Sequence, residues 1–484
     1  MWAALFVAAV YGLSAAQQPG GADFAEMQGL PYILGIAHPT GFPVFVLLGY
    51  VFSHVVAIDT IAWRMSFMCG IAAAGAIAFG IAIARRLGIA WWLAVPAFLW
   101  FAFLQVPWSH AADADVHLLL LFFESAIVYC TVRWLQTSES FLLPVTGALW
   151  GLALATHPNA VWIAPGLLLA LLFNRASLKP RDLAIACASF AIGLAFYAYL
   201  PLRSLYVTTH HLDPTMGLAG LDGGIYWNVN NPQTLHGFLT TLSGSQFGTS
   251  DLLKGLFDPT KWPSFALSLL QMLLDQYGAF GFIVLAIGFG TLALRAPRII
   301  TVITVMAIGA IPFAVLYYDV EGDLERYRYL ALWAAPLFLA GAGGFARTTS
   351  GRVRKIVVAV FLIASMALTF RQNSTIFGNR TDDGQRHLIV WLAGAVPQHS
   401  IIVTPWLDAT PFAYGAYVDG SLPGRTIVAA WPDDVAAHFA QWSKREPVYV
   451  IAPPDRPPTV GQYIKTNTYD AYHAAYLYVP LGTH

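Results

Sequence analysis

Two carboxylates set three positions apart, Asp23 and Glu26, open the stretch "DFAEMQGLPYILGIAHPTGFPVF" directly after the first apolar run of the chain. In a water-poor place, one carboxylate can accept a proton as a general base or hold a cation, while the other hydrogen-bonds a substrate. If the first helix runs on through them, the spacing puts both on one face. The same pair also reads as ordinary solvated charge at a helix end. His38 follows in "HPTGFP", where Pro39, Gly41 and Pro43 bracket a rigid turn. It is a candidate for holding a phosphate or for capping the next helix. Residues 42–56 are apolar but poorly flanked, which fits a helix lying in the membrane interface.

Further along, "WSHAADADVH" gathers His110, Asp113, Asp115 and His117. The residue types permit a divalent cation, with Asp113 and Asp115 as weak ligand candidates, and equally permit an acidic helix N-cap. "ATHPNA" sets His157 in a tight turn, either toward substrate or as a structural element. Arg203 in "YAYLPLRS" suits an anionic group such as a phosphate, or anchors the interface among Tyr197, Tyr199 and Tyr206. In "YWNVNNPQ" the indole of Trp227 could stack on a sugar and Asn230 could hydrogen-bond it, although aromatic residues are also expected as an interfacial belt. "YYDVEGDLERYRY" clusters acids and bases that include Glu325 and Arg326.

The elements that must position these residues are mostly helices in lipid. The 484 residues are 57% hydrophobic and only 11% charged, with a mean hydropathy of +0.60; soluble domains carry about 25% charged residues. A net charge of zero argues against nucleic acid as a partner. Cys69, Cys130 and Cys187 lie far apart in apolar runs, so neither a disulfide framework nor a cysteine metal site is indicated. A bilayer core needs roughly 20 apolar residues per helix. That rule selects about eleven candidate spans, near 1–16, 63–84, 89–107, 117–134, 142–157, 159–173, 183–202, 264–293, 299–318, 329–346 and 355–370. The first is expected to be a retained anchor rather than a cleaved signal.

Arg85, Arg86, Arg133, Arg175, Lys179, Arg181, Arg295, Arg298, Arg347, Arg352, Arg354 and Lys355 fall in alternate loops, which the positive-inside rule assigns to the cytoplasm. The loops 20–62, 203–263 and 317–328 and the tail then lie outside, and every stretch with chemistry shares that face. The expected organisation is a transmembrane domain over 1–370 and a small α/β domain over 371–484. In the latter, "SIIVTPW", "RTIVAAW" and "PVYVIAPP" read as strands of a mostly parallel sheet and "DDVAAHFAQWSKRE" as a helix. Carboxylates and arginines on one membrane face describe a site for an anionic, lipid-linked substrate at the outer leaflet.

Several stretches together, "DFAEM…LGIAHPTGFPVFVLLGYVF", "WSHAADADVHLLLLFFESAIVYC", "GLALATHPN", "YLPLRS…WNVNNPQTLHGFLTTLSGSQF" and "GDLERYRYLAL", resemble in the same order a bacterial polytopic membrane family formerly of unknown function. That family is related to a eukaryotic transmembrane protein O-mannosyltransferase and is similar to the C-type (GT-C) glycosyltransferases. The resemblance covers about residues 20 to 330 and implies a GT-C-like fold with a polyprenyl-phosphate-linked sugar as donor. The family's D-S-G-E-F appears as "DFAEM" with Asp23 and Glu26 kept, and implies these as the catalytic carboxylates, Asp23 first, acting as base or as a metal-linked carboxylate. H-P-P-G-Y-P appears as "HPTGFP", preserving His38. A-E-V-Y appears as "ADVH", with Asp115 for Glu and His117 for Tyr. Arg203 matches the arginine of "YLPLR" and is implied to meet the lipid phosphate, and Glu325 and Arg326 match an E-R-Y run.

The resulting expectation is a membrane glycosyltransferase that moves a sugar, mannose by the eukaryotic relative, onto a hydroxyl of a protein or glycan acceptor with inversion. The competing classes are a transporter or flippase of lipid-linked sugars and a non-catalytic membrane scaffold. A transporter would place ionisable residues or broken helices near the bilayer midplane, whereas the charges here gather at helix ends. A scaffold leaves the carboxylates and arginines unexplained.

Overall fold

The computed structural model describes residues 1–245, 254–321, 329–343 and 349–480. The chain divides into two compact units interleaved along the sequence: Met1–Ala15, Phe67–Tyr197 and Phe247–Gly378 in one, Ala16–Ser66, Ala198–Gln246 and Asn379–His484 in the other. The opening loop thus groups with the tail and with the segment after Tyr197.

The first unit is helical. Among the described residues six helices are long and apolar enough to cross a membrane: Ile61–Arg86, Val116–Thr137, Pro180–Thr209, Pro259–Ala293, Pro297–Leu316 and Arg352–Arg380. The span expected at 89–107 is a pair, Trp91–Ala102 and Gln105–Asp113, bent by 60°. Shorter apolar helices, Trp2–Ser14, Leu142–Thr156, Pro158–Phe173 and Tyr329–Gly343, underlie the remaining expected spans. Val116–Thr137 is the central element, 78% buried along its apolar window, against 11% for Pro180–Thr209. Leu142–Thr156 packs on Pro180–Leu194 through glycines. A Cβ added to Gly147 or Gly151 would come within 2.2 Å of the carbonyl of Ala186 or Phe190, so the absence of side chains is what lets these backbones approach in lipid.

In the second unit, Asp23 and Glu26 do not continue the first helix. Trp2–Ser14 ends, and a separate helix, Ala22–Gly29, carries both carboxylates. The break coincides with Pro19, Gly20 and Gly21, residues that respectively remove a backbone donor and favour a non-helical chain. Residues 42–56 form the helix Pro43–Val55. The helix expected to end at 202 runs to Thr209, so Arg203 sits inside Tyr199–Thr209 rather than in a loop.

The tail holds a five-stranded sheet, β1 Ser400–Thr404, β2 Arg425–Ala429, β3 Val448–Ala452, β4 Tyr463–Thr468 and β5 Ala474–Tyr478, in the order β2-β1-β3-β5-β4. β1 pairs parallel with β2 and β3, whereas β5 pairs antiparallel with β3 and β4. The sheet is therefore mixed, with the parallel strands buried and β4 an exposed edge. Ile401, Val403, Val448 and Val450 pack with Phe439 and Trp442 in its core. The helix expected over 433–446 is broken into Pro432–Val435, a 3-10 turn Ala436–His438 and Phe439–Trp442. The helix Trp406–Tyr417 fills the connection between β1 and β2.

Candidate active site

The opening carboxylates are held differently from one another. Glu26 is fully buried. One of its oxygens accepts the backbone N–H of His38 at 3.0 Å, and the other accepts from His38 Nδ1. A buried carboxylate needs such a partner, because desolvation without one is costly. The turn after His38 brings this about: Gly41 N–H donates to the His38 carbonyl at 2.8 Å. Gly41 has φ +80°, and an added Cβ would lie 2.8 Å from Leu200. His38 therefore does not cap Pro43–Val55, whose N-cap position is Phe42.

Asp23 is only half-buried and lies in the first turn of Ala22–Gly29, where the helix dipole favours a negative charge. Its Oδ1 accepts the indole N–H of Trp406 at 3.0 Å. The same indole ring meets the His38 imidazole edge-on at a centroid distance of 5.5 Å. Asp23, Trp406, His38 and Glu26 thus form one connected set, with the accessible carboxylate at one end and the buried one at the other. Trp406 was not singled out from the sequence. It stands at the end of a strand-like run, and nothing local marks its partner.

Behind this set the opening loop is fastened to Tyr199–Thr209. Tyr199 Oη donates to the carbonyls of Leu34 and Gly35 at 2.7 and 2.9 Å. Arg203 donates from Nε to Leu34 and from Nη2 to Ile33, at 2.6 and 3.0 Å, and its guanidinium lies 5.1 Å from the Tyr206 ring. Two of its five N–H donors are therefore committed to the chain itself. Tyr226 Oη donates to the Ala25 carbonyl at 2.6 Å, which seats the carboxylate helix from the other side. Trp227 meets Tyr417 edge-on at 6.0 Å, and its buried Nε1 has no partner among the described residues. Asn230, at φ +61°, reaches Thr241 Oγ1 at 3.5 Å.

In the helical unit a second polar cluster forms around Asp115. As N-cap of Val116–Thr137 it accepts the His117 N–H at 2.8 Å. Nδ1 of His110 and Nδ1 of His117 each reach it at 2.8 Å, and Tyr329 Oη donates at 3.1 Å. Burial alone would raise its carboxyl, but the charges and hydrogen bonds of His117 and His110 hold it well below the usual carboxylate range. The His157 ring lies 4.3 Å from that of His117, tilted by 50°, and its Nδ1 accepts the Asn159 N–H at 3.2 Å. Asp113 ends the preceding helix, Gln105–Asp113. Among the described residues no group of three or more His, Cys, Asp or Glu side chains is gathered where a metal ion could be held. Glu325 and Arg326 lie outside the described residues.

The fold agrees with the GT-C-like one that the resemblance implies. Over 99% of its length the chain is similar in fold to ArnT from Cupriavidus metallidurans, in a crystal structure bound to undecaprenyl phosphate, with a TM-score of 0.54, 12% identity and 98% of that chain covered. Residues 23–180 match the family described as the Protein O-mannosyl-transferase TMEM260 N-terminal domain. The chain is 27% identical over 257 residues to Protein O-mannosyl-transferase TMEM260 of Mus musculus, covering 51% of this chain and 34% of that protein. It is 23% identical over 266 residues to the protein of that name in Dictyostelium discoideum, covering 52% and 31%. The chain thus spans about a third of the length of these curated relatives. The match begins at Asp23, the first residue of the motif from which the resemblance was drawn.

Proposed function

We propose that this chain is an integral-membrane glycosyltransferase that moves a sugar from a polyprenyl-phosphate donor to a hydroxyl of a protein or glycan acceptor. Mannose is the sugar suggested by the names of the relatives, and a polyprenyl phosphate is suggested by the ligand of the ArnT structure. The distribution of Lys and Arg supports a site and a tail on the extracytoplasmic face of a bacterial plasma membrane.

The observation that carries this reading is the Asp23 carboxylate, half-buried and aimed by the Trp406 indole beside the fixed Glu26–His38 pair. In the proposed step, Asp23 accepts the acceptor hydroxyl proton as that oxygen attacks the anomeric carbon. The bond from this carbon to the phosphate oxygen breaks, its electron pair leaves with the polyprenyl phosphate, and the anomeric configuration inverts. The Arg203 donors not directed at Ile33 and Leu34 would meet the charge developing on the phosphate. Glu26 acts at one remove by fixing His38. Transfer from a radiolabelled polyprenyl-phosphate sugar by purified protein tests the reading, with Asp23→Asn as the decisive variant.

A further inference from the structure

The turn between β4 and β5 carries a surface that the proposed reaction does not use. Tyr469 and Tyr472 are 41% and 72% exposed. Tyr469 packs against the rings of Trp391, at 5.5 Å and 38°, and His387, at 5.9 Å and 23°, so its remaining exposed face stands on a fixed aromatic base. Asp470 Oδ1 accepts the backbone N–H groups of Tyr472 and His473 at 2.7 and 2.8 Å, which stiffens the turn. The His473 ring lies between two carboxylates, with Nδ1 2.9 Å from Asp470 and Nε2 3.5 Å from Asp408.

The chemistry of this surface selects its occupant. Exposed aromatic faces pack against the C–H faces of pyranose rings, and neighbouring carboxylates accept hydrogen bonds from sugar hydroxyls. A carboxylate has about four lone-pair sites, so pairing with His473 leaves Asp408 and Asp470 able to accept more. With a protonated His473 between them the two carboxylates keep a single net negative charge, a small field for a basic peptide. An anionic bilayer surface recruits Lys and Arg, and none of these six residues is either. Asp408 also stands two positions after Trp406 in the helix Trp406–Tyr417, an axial rise of about 3 Å. One turn of helix therefore carries both the anchor of Asp23 and the edge of the aromatic surface, on different faces.

We propose that Trp391, Tyr469 and Tyr472, flanked by Asp408 and Asp470, form a docking surface for a pyranose chain borne by the acceptor. The proposal rests on the transferase reading and adds to it the class of acceptor: one that already carries sugar.

The test uses the full chain in nanodiscs prepared without glycosidic detergent, titrated with mannotriose, maltotriose and chitotriose and followed by saturation-transfer NMR. At least one trisaccharide should bind the parental protein. The double variant Tyr469→Ala/Tyr472→Ala should weaken that binding at least tenfold, Tyr469→Trp should retain it, and Asp23→Asn should leave it unchanged. Binding of no trisaccharide, or equal binding by the double variant with an unchanged melting temperature, overturns the proposal. So does nitration of Tyr469 and Tyr472 by tetranitromethane in detergent but not in nanodiscs, which would make the surface a membrane contact. A protein that binds the trisaccharide but transfers no sugar refutes the transferase reading and leaves the docking surface standing. One that transfers sugar but binds no trisaccharide refutes the docking surface alone.

Discussion

The indole of Trp406 donates to the Asp23 carboxylate at 3.0 Å across 383 residues of sequence. The contact makes the helix Trp406–Tyr417 of the tail part of the site built by the opening loop. A hydrogen bond to a charged group contributes about 1.5–3 kcal/mol. Trp406→Phe keeps a ring for the His38 edge but removes the N–H. We expect kcat for sugar transfer to fall by about tenfold or more with little change in melting temperature. An equal loss of melting temperature and activity would instead mark Trp406 as packing only.

Glu26 is buried and its only assigned task is to hold His38. Removing one partner of a buried pair costs about 3–5 kcal/mol. Glu26→Leu should therefore lower the melting temperature markedly, while Glu26→Gln, which can still accept the His38 backbone N–H, should lower it less. Thermal unfolding monitored by circular dichroism in one detergent distinguishes the two.

Glu124 poses the opposite case. It is buried in Val116–Thr137, and among the described residues it makes no hydrogen bond or ion pair. It lines a small cavity of about 10 Å³ with Asn159 and Trp162. An unpaired buried polar group costs about 1–3 kcal/mol by mutational measures, so Glu124→Leu should raise the melting temperature. A lower value would mean that the carboxyl has a partner within the folded protein.

How far the sequence could be read depended on how local each signal was. Apolar runs reveal themselves within about 20 residues, and each expected span has a helix beneath it, although four rest on helices too short to meet the length rule on their own. β1, β2 and β3 were legible because buried parallel strands are β-branched throughout. β4 and β5 were not, since β4 is an exposed edge of mixed polar residues. Asp23, Glu26 and His38 are marked by type and spacing, yet residues 20–62 read as an outer loop, and the separate helix that carries the carboxylates after Pro19, Gly20 and Gly21 has no apolar run to announce it. Arg203 shows the limit most plainly. Its residue type suggested a phosphate, but its grip on the Ile33 and Leu34 carbonyls depends on a contact some 170 residues away, for which Arg203 and Ile33 are the ends.

A pH dependence should come from the tail. Burial pulls the His473 imidazole down, but the hydrogen bonds and charges of Asp408 and Asp470 outweigh it and raise its pKa above the ordinary value. A raised folded-state value means that His473 contributes stability below its unfolded pKa, about 6.5. That contribution is lost as pH rises through the folded value. His473→Gln should therefore melt below the parent near pH 5.5, with the gap closing by about pH 8.5. A gap that widens with pH would contradict this arrangement.

Asp23 is the proposed acceptor of the hydroxyl proton, and a general base contributes about 10²–10⁴ in rate. The most direct test is single-turnover transfer from a polyprenyl-phosphate sugar by purified Asp23→Asn protein, at matched donor occupancy. With Asp23 as base, the transfer rate should fall by about 10²–10⁴ with donor binding retained. Transfer by Asp23→Asn at the parental rate would contradict that role.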